Sequence, residues 1–383
     1  TLYLTSCKME SGTEGNKSQY QWAVSYKALQ EWFYPTKNAL CVSAQLDDRA
    51  FQNSYIQSAD LSGDFPVKVK LTDPDFFRIY RFHFLEGSPF TASDLASGLC
   101  TAVITDELSR RLFGTTEGVV GRSFRLDYTD YRVCGVIRSG SYLMRNSYSQ
   151  VYLPYSVVSG YREPKYDMDY LGAFSVTFQV KDGEQGDALR AELKEIARKE
   201  NLMHPDEWKV EFWEQPASHL LRVFQTFASE EFDVWATVRY FLLVLLVLLL
   251  VPALNLSGMI GSRMESRLAE MGVRKSFGAG RGALLRQVMW ENLLLTLLGG
   301  ALGLMLAWLS LYAAREWVFT VFDRWSSVIP DGVDVKVSGE MLFAPLVFAA
   351  ALLLCVVLNM LSALVPAWHS LRHPIVNSLN EKR

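Results

Sequence analysis

Cysteine and histidine are both scarce, with five of each in 383 residues. No Cys/His cluster has zinc-ligand spacing, no HExxH pair occurs, and there is no G-x-S-x-G turn, so the familiar hydrolase centres have no counterpart. A G-x-x-x-x-G-K-[ST] phosphate loop is missing as well. "GAGRG" (Gly278–Gly282) follows a helical stretch, where a nucleotide fingerprint would follow a strand. Neither a bound cofactor nor a metal is expected on this chain, and nucleic acid is not an expected partner. Internal repeats and low-complexity segments are lacking too.

What the chain has in excess is uninterrupted apolar sequence, all of it late. Tyr240–Ser262, Asn292–Ala314 and Met341–Trp368 carry no charge. Each meets the roughly 20 residues that a helix needs to cross about 30 Å of hydrocarbon. Three such runs in succession point to membrane spans. Between the first two lie Arg263, Arg267, Arg274, Lys275, Arg281 and Arg286, and after the third come Arg372, Lys382 and Arg383. The positive-inside rule puts those sides in the cytoplasm and the first ~235 residues outside it. Nothing at Thr1 reads as a signal peptide, so export of that portion implies a targeting helix upstream. Cys7, Cys41, Cys100 and Cys134 then face an oxidising side and Cys355 lies in the third run. Their even number permits disulfides, but the spacings match no framework and free thiols fit equally well.

The outer portion reads as mixed α/β. "CTAVITDELSRRLFG" gives a strand, Ala102–Thr105, then a helix with Leu108 and Leu112 on one face, stopped at Gly114. "YRVCGVI" alternates like a half-buried strand and "SQVYLP" ends another. "FSVTFQV", "GDALRAELKEIARKE" and "WKVEFW" suggest a compact βαβ-type unit around an amphipathic helix. From Ser218 to Tyr240 the pattern stays helical without Gly or Pro, which reads as a continuous stalk into the first span. The expected organisation is therefore an α/β outer domain (residues 1–217), a stalk helix (218–239) and a membrane domain (240–383) with spans near 240–262, 284–314 and 341–368.

The segment between the first two spans is the most informative. Arg263, Arg267, Glu270 and Arg274 form one helical stripe, and Met264, Leu268 and Met271 its neighbour. Such a helix lies flat against lipid or in a protein groove. Glu265 and Glu270 interrupt the basic face, and the Gly278–Gly282 corner leads directly into the next helix, so a rigid elbow that engages a protein is the favoured reading. Glu291 sits just before the second uncharged run, where it stays interfacial and is placed to pair with a basic residue of the elbow. Gly299, Gly303 and Ala307 make a small-residue strip for close helix packing, within the chain or between two chains. Asn255 and Asn359, polar exceptions in the spans, are expected to hydrogen-bond neighbouring helices.

"SRMESRLAEMGVRKSFGAGRGALLRQVMWENLLLTLLGGALGLMLA" resembles the inner-face segment and following span of FtsX-like, MacB-type ABC transporter permeases. Glu270, Gly272, Val273, Arg274, Lys275, Gly278, Ala279, Leu285, Glu291, Gly299, Gly300 and Gly303 match that pattern, while Met271 and Ser276 depart from its Ile and Ala. "DPDFFRIYRFHFLEGSPFTASD", "AVITDELSRRLFG", "VVGRSFRLDYTDYRVCGVI" and "VYLPYSVV" are similar in order to the family's extracytoplasmic core, from about Leu71 onward. The resemblance implies a four-span bundle whose first helix precedes Thr1, with a large periplasmic α/β domain, in the bacterial inner membrane. It makes residues 263–278 a coupling helix resting on a separate ABC-type ATPase, which uses the ATP and Mg. It also implies a second permease chain and, for export, a periplasmic adaptor and an outer-membrane channel. The expected function is non-catalytic: ATP-driven motion relayed to the outer domain, for efflux of a hydrophobic, peptide or antibiotic-like substrate. An FtsX-like regulator of a cell-wall hydrolase and a ligand-binding membrane receptor are the alternatives.

Overall fold

The computed structural model describes residues 1–11, 18–57, 64–141, 144, 146–164, 168–205, 207–224, 233–266, 270, 273–274, 276–315, 317 and 344–372. Two compact units divide near Phe232 and Asp233.

In the first unit the chain runs β1 (Leu2–Leu4), β2 (Cys7–Ser11), β3 (Ser18–Trp22), a helical turn α1 (Tyr26–Ala28) continued by the wider turn Leu29–Phe33, β4 (Cys41–Leu46), β5 (Ser54–Gln57), β6 (Asp64–Val67) and β7 (Val69–Thr72). It continues through α2 (Asp75–Tyr80), β8 (Phe84–Gly87), α3 (Ala92–Ser97), β9 (Thr101–Thr105), α4 (Asp106–Phe113), β10 (Ser123–Leu126), β11 (Thr129–Ile137) and β12 (Val151–Pro154). Last come β13 (Phe174–Gln179), α5 (Gly183–Met203), β14 (Trp208–Glu211), β15 (Ala217–Ser218) and α6 (His219–Phe224). A mixed sheet is ordered β15-β1-β13-β4-β7-β12-β9-β11-β10-β5-β6, with β8 joining at β11, while β14-β2-β3 form a second sheet.

Local chemistry accounts for the elements that the sequence suggested. Thr105 Oγ1 caps α4 by accepting the Leu108 N–H, and Gly114 ends it in the left-handed region (φ 72°). Leu108 and Leu112 are both buried. Thr91 and Asp94 form a reciprocal capping box on α3. Thr91→Ala should lower stability by about 1 kcal/mol, seen as a downward shift of the thermal midpoint; an unchanged midpoint would show that the cap contributes nothing. An added Cβ at Gly135 would sit 2.6 Å from Ser88 O, so the bulged β11 needs glycine where β8 crosses close to it.

One expected unit dissolves. The strand–helix–strand run around α5 is not a βαβ element, because β13 joins the large sheet and β14 pairs with β2 in the small one. Leu189, Leu193 and Ala197, four residues apart, bury the apolar stripe of α5 in a core shared by both sheets. The motif "DPDFFRIYRFHF" builds a second, aromatic core, in which Phe76, Phe77 and Tyr152 pack with Phe90, Val103 and Ile137.

Among its described residues the second unit holds three long helices: α7 (Val234–Ser266), α8 (Arg281–Ala313) and α9 (Pro345–Arg372). α9 packs against both α7 and α8. Gly282–Ala313 and Pro345–Leu364 are long and apolar enough to span a membrane, with mean hydropathies of 2.0 and 2.5. The described apolar stretch of α7, Val234–Leu250, is shorter, so among the described residues two of the three suggested spans meet the criterion. Leu246 and Leu248 are each 64% exposed, an arrangement that water disfavours and lipid does not.

The stalk is not one uninterrupted helix in the described residues. Asp233 lies outside α7 and its Oδ1 accepts the Ala236 N–H at 2.9 Å, an N-cap that starts a new helix. Residues 225–232, which the sequence reading ran straight through, lie outside the described residues. The five cysteines are free thiols, so the open question of disulfides resolves against them in this structure.

Candidate functional site: the glycine elbow

Between α7 and α8 the described residues Glu270, Val273, Arg274 and Ser276 are helical. Gly278, at φ 92°, turns the chain out of that helix, and the Ala279 N–H donates back to Arg274 O at 3.0 Å. This six-to-one bond is a Schellman cap, which a β-carbon at Gly278 would strain. Gly280 then caps α8, its carbonyl accepting the Ala283 and Leu284 N–H groups. Ala279 packs against a small buried cluster of Ile260 (α7), Leu284 and Val288 (α8) and Ala363 (α9). The corner is therefore docked on the helix bundle.

Polar contacts lock the same corner from the outside. The Arg274 guanidinium donates to Glu270 at 2.6 Å and to Gln287 Oε1 at 2.7 Å, and Gln287 Nε2 donates to Glu291 Oε1 at 3.2 Å. Glu270 and Arg274 are both about half exposed. An exposed pair of this kind is worth only about 0.3–0.5 kcal/mol, so its effect is to orient and not to stabilise. Glu291 thus reaches the elbow arginine through Gln287. The i,i+4 spacing of Gln287 and Glu291 was the available signal for that bridge. Val273 and Phe277 point outward, 45% and 87% exposed.

Other site residues fare differently. Arg263, in the last turn of α7, lines a cavity of about 390 Å³ with Asn292, Thr296 and Asn359. Met264 lies within α7, while Arg267, Leu268, Met271, Gly272 and Lys275 lie outside the described residues. Asn359 Nδ2 donates to Thr296 Oγ1 on α8, the expected bond between helices. Asn255 is exposed on α7 instead, with no such bond among the described residues. The glycine strip divides. A Cβ at Gly300 would sit 2.6 Å from Leu352 Cδ1 of α9, whereas nothing lies within 4 Å of one at Gly299 or Gly303, and Ala307 is exposed. Close packing within the chain therefore falls on Gly300.

Residues 26–196 match the family model of the MacB-like periplasmic core domain, and residues 242–375 match that of the FtsX-like permease C-terminal region. The chain belongs to the FtsX/MacB-type ABC transporter permeases. The core-domain match reaches back to residue 26, well before Leu71, where the sequence motifs become recognisable. Relatives of the permease include the macrolide export ATP-binding/permease protein MacB of Escherichia coli K12, 26% identical over 94% of this chain and 49% of that one. The protein of the same name from Salmonella typhi is 27% identical over 64% of this chain and 35% of the other. The permease chain thus spans about half or less of the curated relatives it matches. Similar solved structures include the extracellular domain of the noncanonic ABC-type transporter YknZ from Gram-positive bacteria, with 14% identity, 55% of this chain, 99% of that one and a TM-score of 0.36. Another is the periplasmic region of MacB from Actinobacillus actinomycetemcomitans, with 12% identity, 54% and 88% coverage and a TM-score of 0.35.

Proposed function

We propose that this chain is the non-catalytic permease subunit of an ABC exporter, coupling ATP hydrolysis by a separate ATPase to motion of its outer domain. The observation that carries this reading is the elbow. Its inner helix is capped by Gly278, docked through Ala279 and bridged to α8 by Arg274 and Gln287. A segment fixed at three points transmits displacement to the span it leads into. ATP and Mg belong to the partner. A four-span bundle in the bacterial inner membrane, a second permease chain and a periplasmic location for the α/β unit complete the arrangement. The open faces of Gly299 and Gly303 suit a contact with that second chain. By likeness to proteins named for macrolide export, the cargo is a hydrophobic, peptide or antibiotic-like molecule, passed to a periplasmic adaptor and outer-membrane channel. Charge-free spans suit relayed motion better than an aqueous path through the bilayer.

Photo-crosslinkers at the exposed positions Val273 and Phe277, in membranes from cells that make the complete system, should trap an ATPase polypeptide. Adducts with phospholipid alone at both positions would refute the coupling role.

A further inference from the structure

A cavity of about 360 Å³ opens in the outer unit where β4, β7 and β13 run side by side, and Lys68, Lys70 and Arg222 all line it. Two acidic residues, Asp47 and Asp48, lie on its wall. Each is engaged locally: Asp47 Oδ1 accepts from Gln52 Nε2 at 3.3 Å, and Asp48 Oδ1 accepts the Ala50 N–H at 2.8 Å. Lys70 and Arg222 are held in place by neutral groups. Lys70 Nζ donates to Gln45 Oε1 at 3.1 Å, and Gln45 in turn donates to Thr177 Oγ1 at 3.1 Å, which fixes the amide with its oxygen toward the lysine. The Arg222 guanidinium lies 5.2 Å from the centre of the Tyr3 ring, and Lys68 Nζ lies 5.8 Å from that of Tyr148. Among the described residues, no carboxylate forms an ion pair with Lys70 or Arg222.

Holding the half-buried Lys70 and Arg222 beside one cavity with no carboxylate paired to either is unfavourable unless something anionic offsets it. Burial first, then the like charges of Lys68 and Arg222, push Lys70 down to about 7, with Asp47 opposing weakly. Burial also lowers Arg222, against the nearby phenols of Tyr3 and Tyr80. Gln45, Ser175 and Thr177 add neutral polar groups to the same wall. The chemistry that satisfies the Lys70 ammonium and the Arg222 guanidinium together is a compact oxyanion with several acceptor oxygens, and Arg supplies the fork that favours it over a halide.

We propose that the cavity bounded by Lys68, Lys70 and Arg222 is a binding site for phosphate groups, presented either as free phosphate or on a phosphorylated headgroup. Binding adds negative charge beside Lys70 and favours its protonated form. For a phosphodiester headgroup, whose charge does not change near neutrality, complex formation above neutral pH therefore takes up a proton, and affinity falls as pH rises through about 7. The site stands independently of the coupling role of the elbow.

The test is titration calorimetry on the full chain in neutral-lipid nanodiscs, with inorganic phosphate in one arm and glycerophosphoglycerol in the other, on both sides of neutral pH. Saturable binding is expected in at least one arm, and the tighter of the two identifies the source. Lys70→Met and Arg222→Gln should each weaken it about tenfold or more, equivalent to about 1.4 kcal/mol or above. In the glycerophosphoglycerol arm, where the probe does not itself titrate near neutrality, Lys70→Arg should keep the affinity and lose the dependence on pH, a result that a purely structural lysine would not give. Thermal midpoints of the variants report folding. No saturable binding of either probe, or binding that both charge-removing variants leave unchanged, overturns the proposal.

Discussion

Gly278→Pro is expected to reduce ATP turnover of the reconstituted permease–ATPase assembly to the rate of the ATPase alone. Proline fixes φ near −65°, whereas Gly278 sits at 92°, so the Schellman turn and the Ala279-to-Arg274 bond are lost together. Without them the inner helix no longer leads into α8 at a set angle. Driving a two-state assembly from 1:99 to 99:1 takes about 5.5 kcal/mol of differential interaction, and a loose corner cannot transmit it. Gly278→Ala keeps the N–H and costs about 1–2 kcal/mol of left-handed strain, so partial stimulation should survive. Arg274→Glu should resemble proline, because it faces Glu270 with a like charge and removes the donor to Gln287. Turnover of the purified assembly in nanodiscs, compared with the ATPase alone, decides the matter. Full stimulation with both Gly278→Pro and Arg274→Glu would falsify the lever.

Asp73→Ala should be the most damaging single change in the outer unit. Asp73 is 3% exposed and accepts hydrogen bonds from Ser43 Oγ (2.7 Å), the Ala44 N–H (2.7 Å), the Phe76 N–H (3.1 Å) and Tyr34 Oη (3.3 Å). It thereby joins β4 to the first turn of α2, whose Phe76 and Phe77 lie in the aromatic core. Each buried donor left without a partner costs about 1–3 kcal/mol, and a loss on the order of 3–5 kcal/mol is expected. Burial pushes the Asp73 carboxyl from an ordinary 3.8 up to about 7, against the bonds from Ala44 and Ser43 that favour its ionised form. The folded state therefore holds a proton that the unfolded state releases between those values, and stability falls as pH rises from about 4 to 7. Thermal melts of the full chain across that window should show the decline, and Asp73→Ala should melt lower with a flatter dependence. Equal midpoints for variant and parent would remove Asp73 from the framework.

Much of the membrane unit was legible because lipid imposes simple rules. Charge-free runs in Asn292–Ala314 and Met341–Trp368 became α8 and α9, since a backbone in hydrocarbon must satisfy its own hydrogen bonds. The elbow was legible too, because Gly278 is one of few residues that tolerates positive φ and the charges around it fall at helical spacing. Sequence spacing did not say which side of α8 meets α9. Gly299 and Gly300 are adjacent, yet only Gly300 is packed by Leu352, a choice made by the rotation of α8 against its neighbour. Asn255 and Asn359 looked equivalent on the same grounds, and packing separated them.

The outer unit shows where local pattern stops. Strand, helix and strand around α5 were each readable from alternation and from the spacing of Leu189, Leu193 and Ala197, but strand partners are fixed by contacts distant in sequence. The sequence by itself determined that the chain has a charged α/β portion, apolar helices and a glycine-hinged basic arm, because composition, periodicity and positive φ act within a few residues. Only the tertiary structure decided that Arg274 bridges to Gln287, that Asp73 ties β4 to α2, and that Lys68, Lys70 and Arg222 share one cavity. Lys70 and Arg222 are 152 positions apart, and the sheet order β15-β1-β13-β4-β7, which joins strands distant in sequence, brings them to one cavity.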